Sequence, residues 1–105
     1  MPRRPKPLSE GGKSGIKNIE KPLVIINQLN GVTFTWDRNN KKDADVLVKD
    51  CEEHFPVCVR NINGEYKYPS FSALIALLIE GIKDLNGQVR THQVKLWALE
   101  KKLKK

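Results

Sequence analysis

The stretch that decides the fold is the last third of the chain, which reads IALLIEGIKDLNGQVRTHQVKLWALEKKL over residues 75–103. Apolar residues recur in it at steps of three and four, the spacing that places side chains on one face of an α-helix. The pattern predicts one long helix with a heptad repeat, whose a and d positions lie along a single stripe. The stripe consists of Ile75, Leu78, Ile82, Leu85, Val89, His92, Leu96, Leu99 and Leu103.

Such a stripe needs a partner helix. At about 1.5 Å per residue it runs about 40 Å, which is longer than the core of a small domain can cover. We therefore expect a self-associated, parallel coiled coil, with Lys95 at a g position and Glu100 at the following e position placed for an interchain ion pair. β-branched residues at the first three a positions favour a dimer, whereas Leu at the last two weakens that preference, so the pattern leaves a dimer and a trimer open.

Two residues of this helix have more than one interpretation. His92 occupies a d position, where copies at one level of a bundle could bind an anion or a metal, or make the bundle sensitive to pH. The simpler interpretation is a polar core residue that helps to fix the register. Trp97, at a b position, is either a recognition aromatic or a contact to the rest of the chain.

Length and composition limit the number of domains and the class of protein. The chain has 105 residues, which allows one compact domain. Its 39% apolar and 30% charged residues argue against disorder of the whole chain, and the longest apolar run is too short to cross a membrane. The net charge of +7 is concentrated at the two ends, while the middle is almost neutral. Basic tails are therefore expected rather than a basic groove, which argues against a nucleic-acid-binding protein.

The N-terminal segment, residues 1–15, is rich in Pro and Gly and nearly lacks apolar side chains, so it cannot form a core of its own. It lacks the apolar segment of a secretion signal. We interpret it as an arm that attaches to an acidic protein surface through Arg3, Arg4, Lys6 and Lys13. Residues 16–69 would then form a small head, and residues 70–105 the coiled-coil helix.

The head has the signals of a mixed α+β unit. Pro22 suits the first turn of a short helix with Leu23, Ile26 and Leu29 on one face, stopped by Asn30 and Gly31. The alternation in residues 32–36 predicts a strand whose inward residues are Val32, Phe34 and Trp36. A second strand is expected at residues 46–48, and then a helical turn capped by Asp50 that runs to Phe55 and stops at Pro56. Asn63 and Gly64 favour a tight hairpin between residues 57–61 and 65–68.

Few residues of the chain are candidates for metal binding or catalysis. Cys51, His54 and Cys58 have soft-ligand side chains, but their spacing matches no common zinc motif and a fourth ligand is missing, so no metal and no cofactor are expected. His54 is expected to be an exposed residue rather than an acid or base. Ser9 or Ser14 with Lys13 or Lys17 could form a nucleophile and base pair, although two serines in a Gly-rich arm are the simpler interpretation.

Three motifs in order carry a family resemblance. They are LNGVTFTW at residues 29–36, the segment from Val46-Leu47 to Phe55-Pro56, and YPSFSALIALLIEGIK at residues 68–83. Together they resemble the endosialidase-type intramolecular chaperone domain at the C-termini of bacteriophage tail spikes and tail fibres, over about residues 16–105. The resemblance implies a homotrimer with a small α+β head and a C-terminal helical bundle, which drives folding and trimerisation of the fibre upstream. Many members of the family then cut themselves at a serine by a serine-lysine mechanism.

This chain departs from the family pattern at the cleavage site. Gly11 and Gly12 stand where the family has a Ser-Asp pair, and Met1 precedes the motif by only about ten residues. We therefore expect no catalytic residue and no enzyme. The resemblance implies a homotrimeric structural or assembly protein, made in the host cytoplasm and located in the phage tail, with a tail-fibre, tail-spike or baseplate protein as its partner. A self-cleaving chaperone separated from its fibre and a small basic nucleic-acid-binding oligomer are the alternatives.

Overall fold

The computed structural model describes residues 12–104, which form two small antiparallel sheets and one long C-terminal helix. The predicted α+β class and the long final helix are confirmed. In chain order the elements are α1 (Pro22–Ile26), β1 (Gly31–Thr35), β2 (Lys42–Val46), α2 (Val48–His54), a 3-10 turn (Pro56–Cys58), β3 (Val59–Ile62), β4 (Tyr66–Pro69) and α3 (Phe71–Leu103). None of the described helices is long and apolar enough to span a bilayer.

The first helix is shorter than the sequence predicts. Pro22 begins α1 and is buried, as expected from a ring whose fixed φ suits the first helical turn. The helix ends at Ile26, and the backbone N–H groups of Asn27 and Leu29 donate to the carbonyl oxygens of Leu23 and Ile26 at 3.0 and 3.1 Å. These turns bring Leu29 against the core, although it lies outside the helix.

Strands β1 and β2 pair in an antiparallel register that runs from Gly31 opposite Val46 to Thr35 opposite Lys42. The predicted first strand is confirmed within one residue, but the second strand expected at residues 46–48 is wrong. Pairing with β1 places the strand earlier, over KDADV, and leaves Val48 to begin α2. Strand propensity depends on cross-strand neighbours, so a mostly polar segment opposite β1 forms the strand, while Leu47 and the β-branched Val48 after it belong to the start of α2.

Asp50 does not cap α2, which corrects a second expectation. Leu47 is the N-cap residue, and Asp50 lies in the first turn, where its carboxylate accepts a hydrogen bond of 3.0 Å from the side-chain amide of Asn30. The helix ends before Pro56 as predicted, and Phe55 is only 6% exposed. Asp50 thus connects the start of α2 to the segment before β1.

Strands β3 and β4 form the predicted hairpin. Asn63 and Gly64 have φ values of 53° and 75°, so both are left-handed, and the backbone N–H of Glu65 donates to the carbonyl oxygen of Ile62 at 3.1 Å to close a tight turn around them. The register pairs Val59 with Pro69 and Ile62 with Tyr66. The hairpin delivers the chain to Ser70, whose hydroxyl oxygen caps α3 by accepting a hydrogen bond of 3.2 Å from the backbone N–H of Ala73.

The core lies where α2, the 3-10 turn and α1 meet the first turns of α3. Its fully buried side chains are Cys51, Cys58 and Leu77, with Phe55 beside them. The helix α1 approaches α3 at Gly81, where an added Cβ would overlap the Cδ1 atom of Ile26. Nothing lies within 4 Å of a Cβ built at Gly87. Gly81 is therefore required for close packing of two helices, whereas Gly87 is not.

Candidate oligomerisation interface

All nine residues of the predicted stripe lie on α3, and all of them are exposed. The eight apolar side chains among them are between 47% and 84% exposed, from Val89 at the lower end to Leu103 at the upper end. Their side chains form one continuous apolar face, since they repeat every three and four residues along a single helix. The structure leaves this face exposed on the single chain, and its coiled-coil pairing remains a prediction.

A second apolar face of α3 packs against the head. It contains Ala73, Leu74, Leu77 and Gly81, of which Leu77 and Gly81 are buried. With about 100° of rotation per residue, this face and the exposed stripe are roughly 100° apart around the helix axis. The head therefore leaves the stripe uncovered. This inner face is absent from the predicted stripe, although the unbroken apolar run of residues 73–79 is the signal for a helix that is covered on more than one side.

The exposed face also extends beyond the predicted stripe. Phe71, seven residues before Leu78 and hence at the preceding d position, is 70% exposed. Ile62 and Tyr66 are 50% and 57% exposed and line, together with Phe71, an open concavity of about 500 Å³ beside the hairpin. The predicted stripe begins at Ile75 and does not include this extension. Continuing the heptad register back by one repeat would have found Phe71.

The polar residues of the predicted seam stay untested. His92, Lys95 and Glu100 are all exposed on the single chain. The predicted pair between Lys95 and Glu100 joins two different chains, so it stays a prediction together with the role of His92.

Beside the stripe, the segment before α1 is attached to α3 through Glu80. The side-chain amide of Asn18 donates a hydrogen bond of 2.9 Å to Glu80 Oε1, and Lys83 Nζ lies 3.2 Å from Glu80 Oε2. The hydrogen bond from Asn18, followed by that from Lys83, holds the pKa of Glu80 below its ordinary value. A charged Glu80 therefore connects residues 12–21 to the long helix.

The two cysteines are free, buried thiols in the core. Cys58 Sγ donates to the carbonyl oxygen of Ser70 at 3.6 Å, and burial raises the pKa of Cys51 to about 11. His54 is half-buried, which corrects the expectation that it is exposed, and its Nε2 atom lies 3.7 Å from Glu53 Oε2. Within residues 12–104 no three His, Cys, Asp or Glu side chains are grouped so as to hold a metal ion. The structure thus gives these thiols a packing role.

Trp36 lies outside the core cluster. Its ring meets Phe34 edge to face with centroids 5.0 Å apart, and the guanidinium carbon of Arg38 lies 4.9 Å from the Trp36 centroid. The indole N–H donates to Asp43 Oδ2 at 3.2 Å. Val32, Phe34 and Trp36 share one half-buried face of the first hairpin, as the alternation predicts.

The predicted arm is described only from Gly12 onward. Arg3, Arg4, Lys6 and Ser9 lie outside the described residues, while Lys13, Ser14 and Lys17 are exposed. The expected attachment to an acidic surface and the alternative of a serine nucleophile therefore remain predictions.

Searches with protein-family models, with curated protein sequences and with solved structures found no match to this chain.

Proposed function

We propose that this chain is a homotrimeric structural or assembly module associated with a bacteriophage tail fibre or tail spike. The exposed apolar face of α3 is the single observation that carries the self-association. The trimeric state, the phage tail and a fibre, spike or baseplate partner rest on the resemblance of the three sequence motifs. In this proposal the stripes of three α3 helices meet along a common axis, and the heads surround the N-terminal end of the bundle.

Physical chemistry supports the association in two ways. A helix segment that lacks tertiary contacts is only marginally stable in water, and from Ile82 to the end of α3 every residue is exposed. Burying the remaining half of each exposed Leu, Ile or Val side chain contributes roughly 1 kcal/mol, so eight of them give on the order of 8 kcal/mol per chain before the costs of association. That magnitude is sufficient for a stable complex once three chains contribute.

The decisive experiment compares two valines of α3. Val89 occupies an a position within the stripe and is 47% exposed, while Val94 occupies an f position outside it and is 61% exposed. Replacing either valine by Asp changes helix propensity equally, but only Val89→Asp places carboxylates at the centre of the bundle. We expect sedimentation equilibrium to give about three times 12.0 kDa for the native chain and for Val94→Asp, and 12.0 kDa for Val89→Asp.

Other outcomes are equally informative. A monomeric native chain would refute self-association, and a dimer would refute the trimer while leaving the stripe as the interface. Equal dissociation of both variants would mean that the stripe is not the interface. A trimer whose chains are shortened at Ser9 or Ser14, measured by mass spectrometry, would favour the self-cleaving alternative.

The assembly role needs a separate test. The chain is fused downstream of a fibre segment that does not trimerise alone, and the yield of folded trimer is measured. We expect the fusion to trimerise and Val89→Asp to abolish this effect, with Val94→Asp as the matched control. Trimerisation of the isolated chain without any effect on the fused segment would leave the oligomer but refute the assembly role.

A further inference from the structure

The half of α3 beyond the head has a second, basic face that the apolar stripe does not use. Residues 85–104 hold five Lys or Arg and one Glu, and all of these charged side chains are exposed. Three of the cations share one face of the helix with an aromatic residue, because Arg90, Trp97, Lys101 and Lys104 are separated by steps of seven, four and three. Trp97 is 61% exposed.

This face points away from the apolar stripe. In the heptad register Arg90, Trp97 and Lys104 occupy b positions and Lys101 an f position, which lie on the outside of a bundle. Within the described residues no ion pair is recorded for any of the three cations. The face would thus stay available for a ligand in a monomer and in an assembly alike, so an inference about it does not depend on the proposed function.

We infer that this outer face binds single-stranded nucleic acid, with phosphates on Arg90, Lys101 and Lys104 and a base stacked on Trp97. The three positive charges favour a polyanionic ligand. Trp97 selects among polyanions, since an exposed aromatic ring within a row of cations is the arrangement that stacks an unpaired base. A duplex keeps its bases inside and offers no free base face to a side chain.

The spacing agrees with this ligand. Along the helix axis Lys101 lies about 6 Å and Lys104 about 10 Å beyond Trp97, while Arg90 lies about 10 Å before it. One base on the ring can therefore have phosphates of flanking nucleotides within reach of cations on both sides. The distribution of charge along the sequence argues against nucleic acid, because most of the charge lies at the two ends. That distribution does not show which charged residues share one face of a helix.

The test uses the full chain carrying Trp36→Phe, so that Trp97 is the only tryptophan, and a short oligothymidine at low salt as the probe. We expect the probe to quench Trp97 fluorescence and to bind with an affinity that falls steeply as salt is added.

Trp97→Ala in the otherwise native chain should weaken binding, measured by anisotropy of a labelled probe, by about tenfold. Lys101→Gln with Lys104→Gln should weaken binding and lower its salt dependence, whereas Lys41→Gln with Lys42→Gln, the same charge change in the first hairpin, should alter neither parameter as much.

Four results would overturn the inference. They are an absence of binding at low salt, binding without quenching of Trp97, an equal loss in the two double-lysine variants, and displacement of the probe by poly-L-glutamate as readily as by unlabelled oligothymidine. The second would place the nucleic acid elsewhere on the chain, and the last would indicate an acidic protein as the natural occupant. Circular dichroism of each variant checks that the helix is retained.

Discussion

Gly81 and Gly87 provide a matched pair of substitutions that tests how the head packs on α3. Both glycines lie inside the same helix, and replacing either by Ala gains about 1 kcal/mol of helix propensity. At Gly87 the new methyl group meets nothing within 4 Å, so Gly87→Ala should raise the free energy of unfolding by about that amount. At Gly81 the methyl group overlaps Cδ1 of Ile26, and inserting a carbon into a packed contact costs about 1 to 3 kcal/mol.

The net effect of Gly81→Ala is therefore expected to lie between no change and a loss of about 2 kcal/mol, at least about 1 kcal/mol below that of Gly87→Ala. A second substitution isolates the cause. Ile26→Val deletes the overlapped Cδ1 atom at its own cost of about 0.5 to 1.5 kcal/mol, and in that background Gly81→Ala should recover the gain seen at Gly87.

The assay is urea unfolding followed by circular dichroism at one fixed protein concentration, for the native chain, the single variants and the Ile26→Val, Gly81→Ala double variant. The expected coupling energy between the two positions is about 1 to 3 kcal/mol. A Gly81→Ala protein as stabilised as Gly87→Ala would refute the close approach of α1 to α3. So would a cycle whose coupling energy is near zero.

Three further predictions concern the cap, the core thiol and the attached segment. Ser70→Ala removes the hydroxyl that caps α3 and should lower the free energy of unfolding by about 1 kcal/mol in urea titrations, whereas Ser72→Ala, which removes only a hydroxyl 3.1 Å from that of Ser70, should change it less. Because burial raises the pKa of Cys51 to about 11 from 9.0, the unfolded chain loses this proton first as pH rises. Stability should then fall between pH 9 and 11, by at most about 1 kcal/mol per pH unit, and a Cys51→Ala variant that shows the same slope would contradict the assignment. Asn18→Ala should raise the pKa of Glu80 toward its ordinary value, measured by NMR titration of that side chain. The folded state keeps a lowered Glu80 pKa, so its contribution is present above the unfolded pKa and is lost as pH falls. An unchanged Glu80 pKa would mean that Asn18 does not hold the segment to α3.

The parts of the fold that the sequence predicts well are those set by local chemistry. The heptad spacing from Ile75 to Leu103 repeats over four heptads, and Asn63 and Gly64 tolerate the left-handed conformation that their turn needs. Pro22 begins α1 for a similarly local reason. No long-range contact has to be known for any of these.

The parts that fail depend on a partner distant in sequence. The strand β2 lies over polar residues because β1 pairs with them, and Val48 enters a helix despite its preference for strands. The role of Gly81 also depends on Ile26, which is far away in the chain. The residues of the candidate interface stay a prediction, and Phe71 lies outside the predicted stripe because the stripe begins at Ile75.

The two apolar faces of α3 connect the stability of the head to the number of chains that assemble. The inner face supplies Leu77 to the core, so the head keeps its fold only while this part of the helix is formed. On the proposed function, assembly along the exposed apolar stripe stabilises the same helix, and this stabilisation extends to the head because assembly shifts the folding equilibrium by mass action. The melting temperature of the head should then rise with protein concentration even though the head contributes little to the stripe. A chain diluted below the dissociation constant of the assembly would lose its core as well as its partners, so that only assembled chains would be folded.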